Sequence, residues 1–92
     1  MGNDNDNLYK KLMYYRPQSV LHTRSKIDRS HTISYRVGYV MVICTKYADG
    51  RAVVDVDVRG PNPFGVTFTW FKEQITGGRA RAIYDRAKKY CK

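Results

Sequence analysis

The chain has 92 residues, 42% of them hydrophobic, enough for one small domain with a modest core. Seventeen Lys and Arg face eight Asp and Glu, a formal net charge of +9, which exceeds what solubility asks of a small domain and attracts polyanions. The longest mostly apolar run, Val37 to Cys44, is too short to span a bilayer, so no membrane role is expected.

Residues 1–7 read as a polar tail, and residues 8–92 as a single α+β domain. The tail has no basic n-region and no apolar h-region, so it is not read as a signal peptide. Asp6 stands where a myristoylation pattern needs Ser or Thr. A cytoplasmic chain is expected. Asp6 or Asn7 can cap a short helix over Leu8 to Tyr15, with Leu8, Leu12 and Tyr15 inward and Pro17 as its stop. A short strand over Ser19 to Arg24 then returns through a polar loop into a main strand.

Ser34 to Tyr47 reads as that main strand, rich in Val, Ile, Tyr and Thr. Asp49-Gly50 is a hairpin signal. Taken as a two-residue loop, it pairs Ala48 with Arg51, Thr45 with Val54, Ile43 with Val56 and Met41 with Val58. Met41, Ile43, Val54 and Val56 then share a core face, with Val40, Val42 and Cys44 opposite Asp55, Asp57 and Arg59. Gly60-Pro61-Asn62-Pro63 marks a turn, and Phe64 to Phe71 a third strand with Val66, Phe68 and Trp70 on one face. After Thr76-Gly77-Gly78, an amphipathic helix runs from Arg79 to Cys91. Its apolar stripe is Ala80, Ile83, Tyr84, Ala87, Tyr90 and Cys91. The expected fold is therefore α+β: a three- to four-stranded antiparallel sheet, the C-terminal helix packed on one face, and a short N-terminal helix.

The charge divides unevenly. Leu8 to Arg36 holds seven basic residues and one acid, Val37 to Phe71 three of each sign, and Lys72 to Lys92 seven basic residues and two acids. Two basic elements thus flank a near-neutral scaffold. In His22-Thr23-Arg24-Ser25-Lys26-Ile27-Asp28-Arg29-Ser30-His31, donors to phosphate alternate with almost nothing apolar. The candidate nucleic-acid-binding residues are Arg16, Arg24, Lys26, Arg29, Arg36, Arg79, Arg81, Arg86 and Lys89. Arg24, Lys26 and Arg29 are expected in one patch, and Arg79, Arg81 and Arg86 in another. Gly77-Gly78 ahead of a helix offers free N–H groups that suit a phosphate. Tyrosines beside cations, as in Tyr14-Tyr15-Arg16 and Tyr35-Arg36, can stack on bases. Tyr14 and Tyr15 also suit a protein interface, while Tyr39, Tyr84 and Tyr90 read as core.

Signatures of catalysis are missing: there is no GxSxG, Walker A, HExxH or EF-hand loop. Asp55 and Asp57 read as a solvated sheet face. Cys44 and Cys91 are expected reduced and buried, with no metal-ligand spacing. Neither a cofactor nor a small-molecule substrate is expected, and the chain is expected to be a monomer. His22 and His31, flanked by Arg24, Lys26 and Arg29, leave a small basic ribonuclease as an alternative, because such enzymes use His as acid and base.

The order helix, three antiparallel strands, helix, with Gly77-Gly78-Arg79-Ala80-Arg81 opening the last helix, resembles a double-stranded-RNA-binding domain. That resemblance implies a basic cluster gripping duplex phosphates, although the family's lysine-rich stretch and alanine-rich helix are missing. The whole-chain profile is a short, strongly charged α+β domain without catalytic motifs. It is similar to the small phage-encoded inhibitors of CRISPR surveillance complexes. That likeness implies a stoichiometric inhibitor contacting guide RNA or an acidic subunit patch. The expected partner is nucleic acid, RNA before DNA, or a nucleoprotein. A double-stranded-RNA- or DNA-binding accessory protein is the alternative binding role.

Overall fold

A computed structural model describes residues 3–61 and 67–91. Helix α1 (Asn3–Tyr14) is followed by β1 (Gln18–Arg24), β2 (His31–Val37), β3 (Val40–Lys46), β4 (Ala52–Pro61), β5 (Thr67–Thr76) and α2 (Gly77–Lys88). The strands form one antiparallel meander in the order β1-β2-β3-β4-β5. The architecture is the expected α+β fold, with five strands in place of three or four. A five-stranded meander departs from the three-stranded order that underlay the likeness to double-stranded-RNA-binding domains.

The additional strand comes from dividing the expected Ser34–Tyr47 strand. Val37 pairs with Val40, leaving Gly38 and Tyr39 as a two-residue loop. Gly38 has φ 60°, as a type II′ hairpin turn requires at its first central position. Tyr39 therefore stands at the turn and is 70% exposed rather than in the core.

The β3–β4 turn is one residue longer than expected. The Tyr47 N–H donates to the Arg51 carbonyl at 2.8 Å and the Gly50 N–H to the Tyr47 carbonyl at 3.0 Å. Ala48, Asp49 and Gly50 thus form a three-residue loop, closed by Gly50 at φ 93°. The Asp49 carboxylate accepts from the Arg51 N–H at 3.0 Å and from Arg51 Nε at 2.8 Å. The register slides accordingly. Cys44 pairs with Val54, Val42 with Val56, and Ile43 with Asp55. Because side chains alternate, that single step turns β3 over. Val42 and Cys44 are buried with Val54 and Val56, while Ile43 is 41% exposed.

One face of the sheet carries the core: Ile33, Tyr35, Val42, Cys44, Ala52, Val54, Val56 and Ile75. Onto it pack Ala80, Ile83, Tyr84 and Ala87 of α2 and Leu12 of α1. The stripe expected on the last helix is thus the buried one, although regular helix ends at Lys88. Tyr90 and Cys91 follow it as half-buried residues. Cys44 is fully buried, and burial pushes its thiol up to about 12. The two helices lie side by side in parallel. Arg79 sits over the Tyr9 ring at 5.1 Å, Arg86 Nη1 donates to the Leu12 carbonyl at 3.2 Å, and Arg16 lies over the Tyr90 ring at 5.5 Å. Helix α1 starts at Asn3 rather than at Leu8, so Asp6 and Asn7 lie within it and are not its caps. The turn expected through Asn62-Pro63, the strand start at Phe64, Val66, and the side chains of Phe68 and Trp70 lie outside the described residues.

The Tyr35 hydroxyl is buried with no hydrogen-bond partner among the described residues. Burial, with Cys44 adding to it and Arg86 opposing, raises its pKa. An unsatisfied buried hydroxyl costs about 1–3 kcal/mol. Tyr35→Phe is therefore expected to raise the thermal midpoint by a few degrees, at roughly 4–8 °C per kcal/mol for a domain of this size. Ile33→Ala, which removes a fully buried side chain, is expected to cost about 2–5 kcal/mol. A fall in the midpoint for Tyr35→Phe in calorimetry would show that the hydroxyl has a partner.

Candidate nucleic-acid interface

The basic stretch 22–31 is strand at both ends and turn between them. β1 continues to Arg24 and β2 resumes at His31, with Arg24 and His31 as cross-strand partners. Only Ser25 to Ser30 turns, closed by the Ser25 N–H donating to the Ser30 carbonyl at 2.9 Å. Within it, Asp28 Oδ1 accepts from the Ser30 N–H at 3.0 Å and from the Ser30 hydroxyl at 2.7 Å. Those bonds, the hydroxyl's first, hold the Asp28 carboxyl below its usual range. The acid of this hairpin is thus engaged in shaping it, while Lys26 and Arg29 stand exposed at its tip. Ile27 between them is 97% exposed.

Register then decides which cations meet. Arg24, His31, Lys46 and Ala52 lie in one cross-strand row. Ala52 is buried under the helical layer, so the row belongs to the helix-bearing face. His22, opposite Ile33, lies on the same face one step inward. His22 Nε2 and His31 Nδ1 are 3.1 Å apart, with the rings stacked at a centroid distance of 5.2 Å. Helix α2 follows β5, packs over β4 and β3, and brings its last turn to this corner. Lys46 Nζ lies over the Tyr84 ring at 5.6 Å. Partial burial lowers the pKa of His31, and the charges of His22, Arg24, Lys88 and Lys46 lower it further. Five cationic or protonatable side chains from three strands and a helix therefore converge at the hairpin end of the sheet.

The remaining candidates distribute around this corner. Arg16, Ser19, His22, Tyr90 and Cys91 line a cleft of about 570 Å³ between edge strand β1 and the end of α2. Arg86 also lies over Tyr90, at 5.5 Å, and Lys89 is exposed beside it. The exposed Tyr14 and Tyr15 rings touch edge to face at 5.0 Å, next to Arg16. Arg79, Arg81 and Arg86 do not make one exposed face. Arg79 and Arg86 turn toward α1, whereas Arg81 is exposed on the side of the helix that carries Lys88, two turns further on. Arg36 lies on the other face of the sheet, where it lines a cleft of about 390 Å³ with Tyr39, Met41 and Arg59. Tyr35 is buried and cannot stack on a base. Asp55 is exposed on that second face and accepts from Gln74 Nε2 at 3.0 Å.

Lys46 and Lys88 were not among the expected site residues. Lys46 sits in the near-neutral middle of the chain, and its proximity to His31 follows only once Gly38-Tyr39 is read as a turn. Among the described residues, no group of three or more His, Cys, Asp or Glu is placed to hold a metal ion. No helix among them is long and apolar enough to cross a membrane. No family model matches the chain, and no curated protein or solved structure is significantly similar to it.

His31 is expected to titrate below the ordinary histidine value of about 6.5. Because its folded-state pKa is depressed, its protonation favours the unfolded chain, and stability falls as pH drops through the unfolded value. Arg24→Gln and Lys88→Gln should each raise the His31 pKa, as read from imidazole proton shifts. No change in either variant would place those cations away from the ring.

Proposed function

We propose that the protein is a non-catalytic binding module that docks its hairpin-end cations on the phosphates of RNA, bare or within a ribonucleoprotein. The convergence of His22, Arg24, His31, Lys46 and Lys88 on one corner carries this reading. Packing does not call for such a cluster, since Arg24 is exposed and the charges of Arg24, Lys88 and Lys46 all oppose protonation of His31. A polyanion offsets that repulsion and releases its own counterions, so affinity is salt-dependent. Arg16, Lys26, Arg29 and Lys89 extend the surface on either side, and the exposed Tyr14 and Tyr15 add flat rings beside it. Side chains of this kind grip phosphate and stack on bases without reading their edges, so sequence preference is weak. A guide-RNA complex, the target of the phage inhibitors that the chain's profile resembles, offers such a partly covered RNA surface.

The paired histidines favour a ribonuclease as the second reading. Transphosphorylation needs a base and an acid reaching different oxygens of one phosphorus. Here the two facing nitrogens are hydrogen-bonded to each other, so they share one proton rather than standing as a separate base and acid, and the binding reading is preferred.

Fluorescence titration against single-stranded RNA, duplex RNA and duplex DNA at two salt concentrations tests the proposal. RNA affinity is expected to fall with salt, with a logarithmic slope of about 0.7 per phosphate contacted in a single strand. Arg24→Ala with Arg29→Ala should weaken binding several-fold and reduce that slope by about 0.7 per lost contact. Arg36→Ala, on the other face, should leave both unchanged. Equal losses for both variants would remove the hairpin corner as the docking site. Metal-independent cleavage of the RNA, lost in His22→Ala, would replace the binding reading with the ribonuclease.

A further inference from the structure

We propose that His22, Arg24, His31, Lys46 and Lys88 form a site for one phosphate group, and that filling it takes up a proton on the histidine pair. This deepens the nucleic-acid reading and rests on it for the source of the phosphate, a diester of the RNA backbone.

The histidine contact sets the starting state. At 3.1 Å, one ring nitrogen donates and the other accepts, so the accepting nitrogen holds no proton. Protonating both rings breaks that bond and sets two N–H groups against each other. The surroundings oppose the same step. Arg24 approaches from β1, Lys46 from β3 and Lys88 from α2. The carboxylates of this end are largely turned to other tasks. Asp28 is bonded to Ser30, Asp49 is paired with Arg51 at 2.8 Å, and Asp85 stands on α2 one turn before Lys88. The unliganded pair therefore resists a second charge.

A phosphate at this corner reverses each of these effects. Its oxygens accept the N–H groups that otherwise face each other, and its charge offsets those of Arg24, Lys46 and Lys88. The imidazolium form becomes the favoured one, as for any histidine gaining an anionic partner. Whatever raises the histidine pKa on binding makes binding tighter at lower pH, by linkage. The site is thus strong when the histidines are charged and weak when they are neutral, and ordinary histidine titration straddles that range.

His22 and His31 are the only two histidines of the chain, so imidazole Cε1–H resonances of the full-length wild-type protein report the site directly. These are titrated with pH, with and without saturating inorganic pyrophosphate. A rise of about one unit in the apparent pKa of His31 is expected, and an unchanged value overturns the site. In parallel, single-stranded RNA affinity is measured at about pH 5.5 and about pH 7.5 at constant salt. Affinity is expected to tighten toward acid by up to about tenfold per pH unit for each proton taken up. His22→Gln with His31→Gln should flatten that dependence. A flat wild-type profile, or an undiminished slope in the double variant, overturns the coupling. If pyrophosphate raises the His31 pKa while the wild type binds no RNA at either pH, the phosphate site stands and the RNA reading falls.

Discussion

The three-residue turn at Ala48–Gly50 is the constraint on which the remaining structure depends. Asp49 holds it by accepting from the backbone and side chain of Arg51, and Gly50 supplies the positive φ that lets the strand restart in register. Strand side chains alternate with period two, so a turn one residue shorter would expose Val42 and Cys44 and bury Met41 and Ile43. Lys46 would turn with them, away from His31 and away from α2. The core and the cationic corner are consequences of the same backbone choice. The exposed Asp49–Arg51 pair adds little stability as an ion pair. Its value lies in selecting the loop.

Helix α2 supplies the second half of the corner through its amphipathic stripe. Ala80, Ile83, Tyr84 and Ala87 seat the helix on the sheet, and small Ala residues let it approach closely. Its direction follows from its origin at β5 and its end beside β1. The basic last turn, favourable for the helix dipole, is thereby delivered to the row that already holds Arg24, His31 and Lys46. Arg79 and Arg86 serve the helix–helix contact instead, stacking on Tyr9 and bonding the Leu12 carbonyl. Cations close in sequence thus divide between packing and display, according to the side of the helix they occupy.

Much of this was legible in the sequence. The alternation of β4, the apolar stripe of α2 and the stop at Pro17 are local signals, and their elements occur with boundaries shifted by a few residues. Turn lengths were less legible. Gly38 lies between Val37 and Tyr39, good strand formers that hide a hairpin inside one apparent strand. Asp49-Gly50 suits a two-residue loop and also the last two positions of a three-residue loop, and only the closing hydrogen bonds distinguish them. From those two turns follow the exposed position of Tyr39 and the inverted face of β3. Arg24 and Arg29 were readable as display residues because their segment has almost no apolar content. Lys46 was not, and neither was the meeting of Lys46 and Lys88 at one corner, because that depends on cross-strand register and helix direction, neither of which is a local property.

The two faces of the sheet also differ in what they offer an anion. The helix-bearing face ends in a corner where His22, Arg24, Lys88 and Lys46 all act on His31 as positive charges. The uncovered face carries Asp55 and Asp57 in rows with Gln74 and Lys72, and Thr32, Thr45, Val53 and Thr76 in the row nearest the hairpin tips. That face is nearly balanced in charge and rich in hydroxyls. On the proposed function, a polyanion approaching the molecule is therefore oriented before contact, hairpin end first, by the field of the corner. Arg36 and Arg59, beside Tyr39 at the far end of the sheet, are separated from that corner by the length of the strands, about 3.3 Å per residue. A nucleic acid reaching both sites must run along the sheet past Asp55 and Asp57, whose charges oppose it. Docking at the corner alone requires no such path, so on the proposed function the phosphate contacts belong to the hairpin end and the last turn of α2.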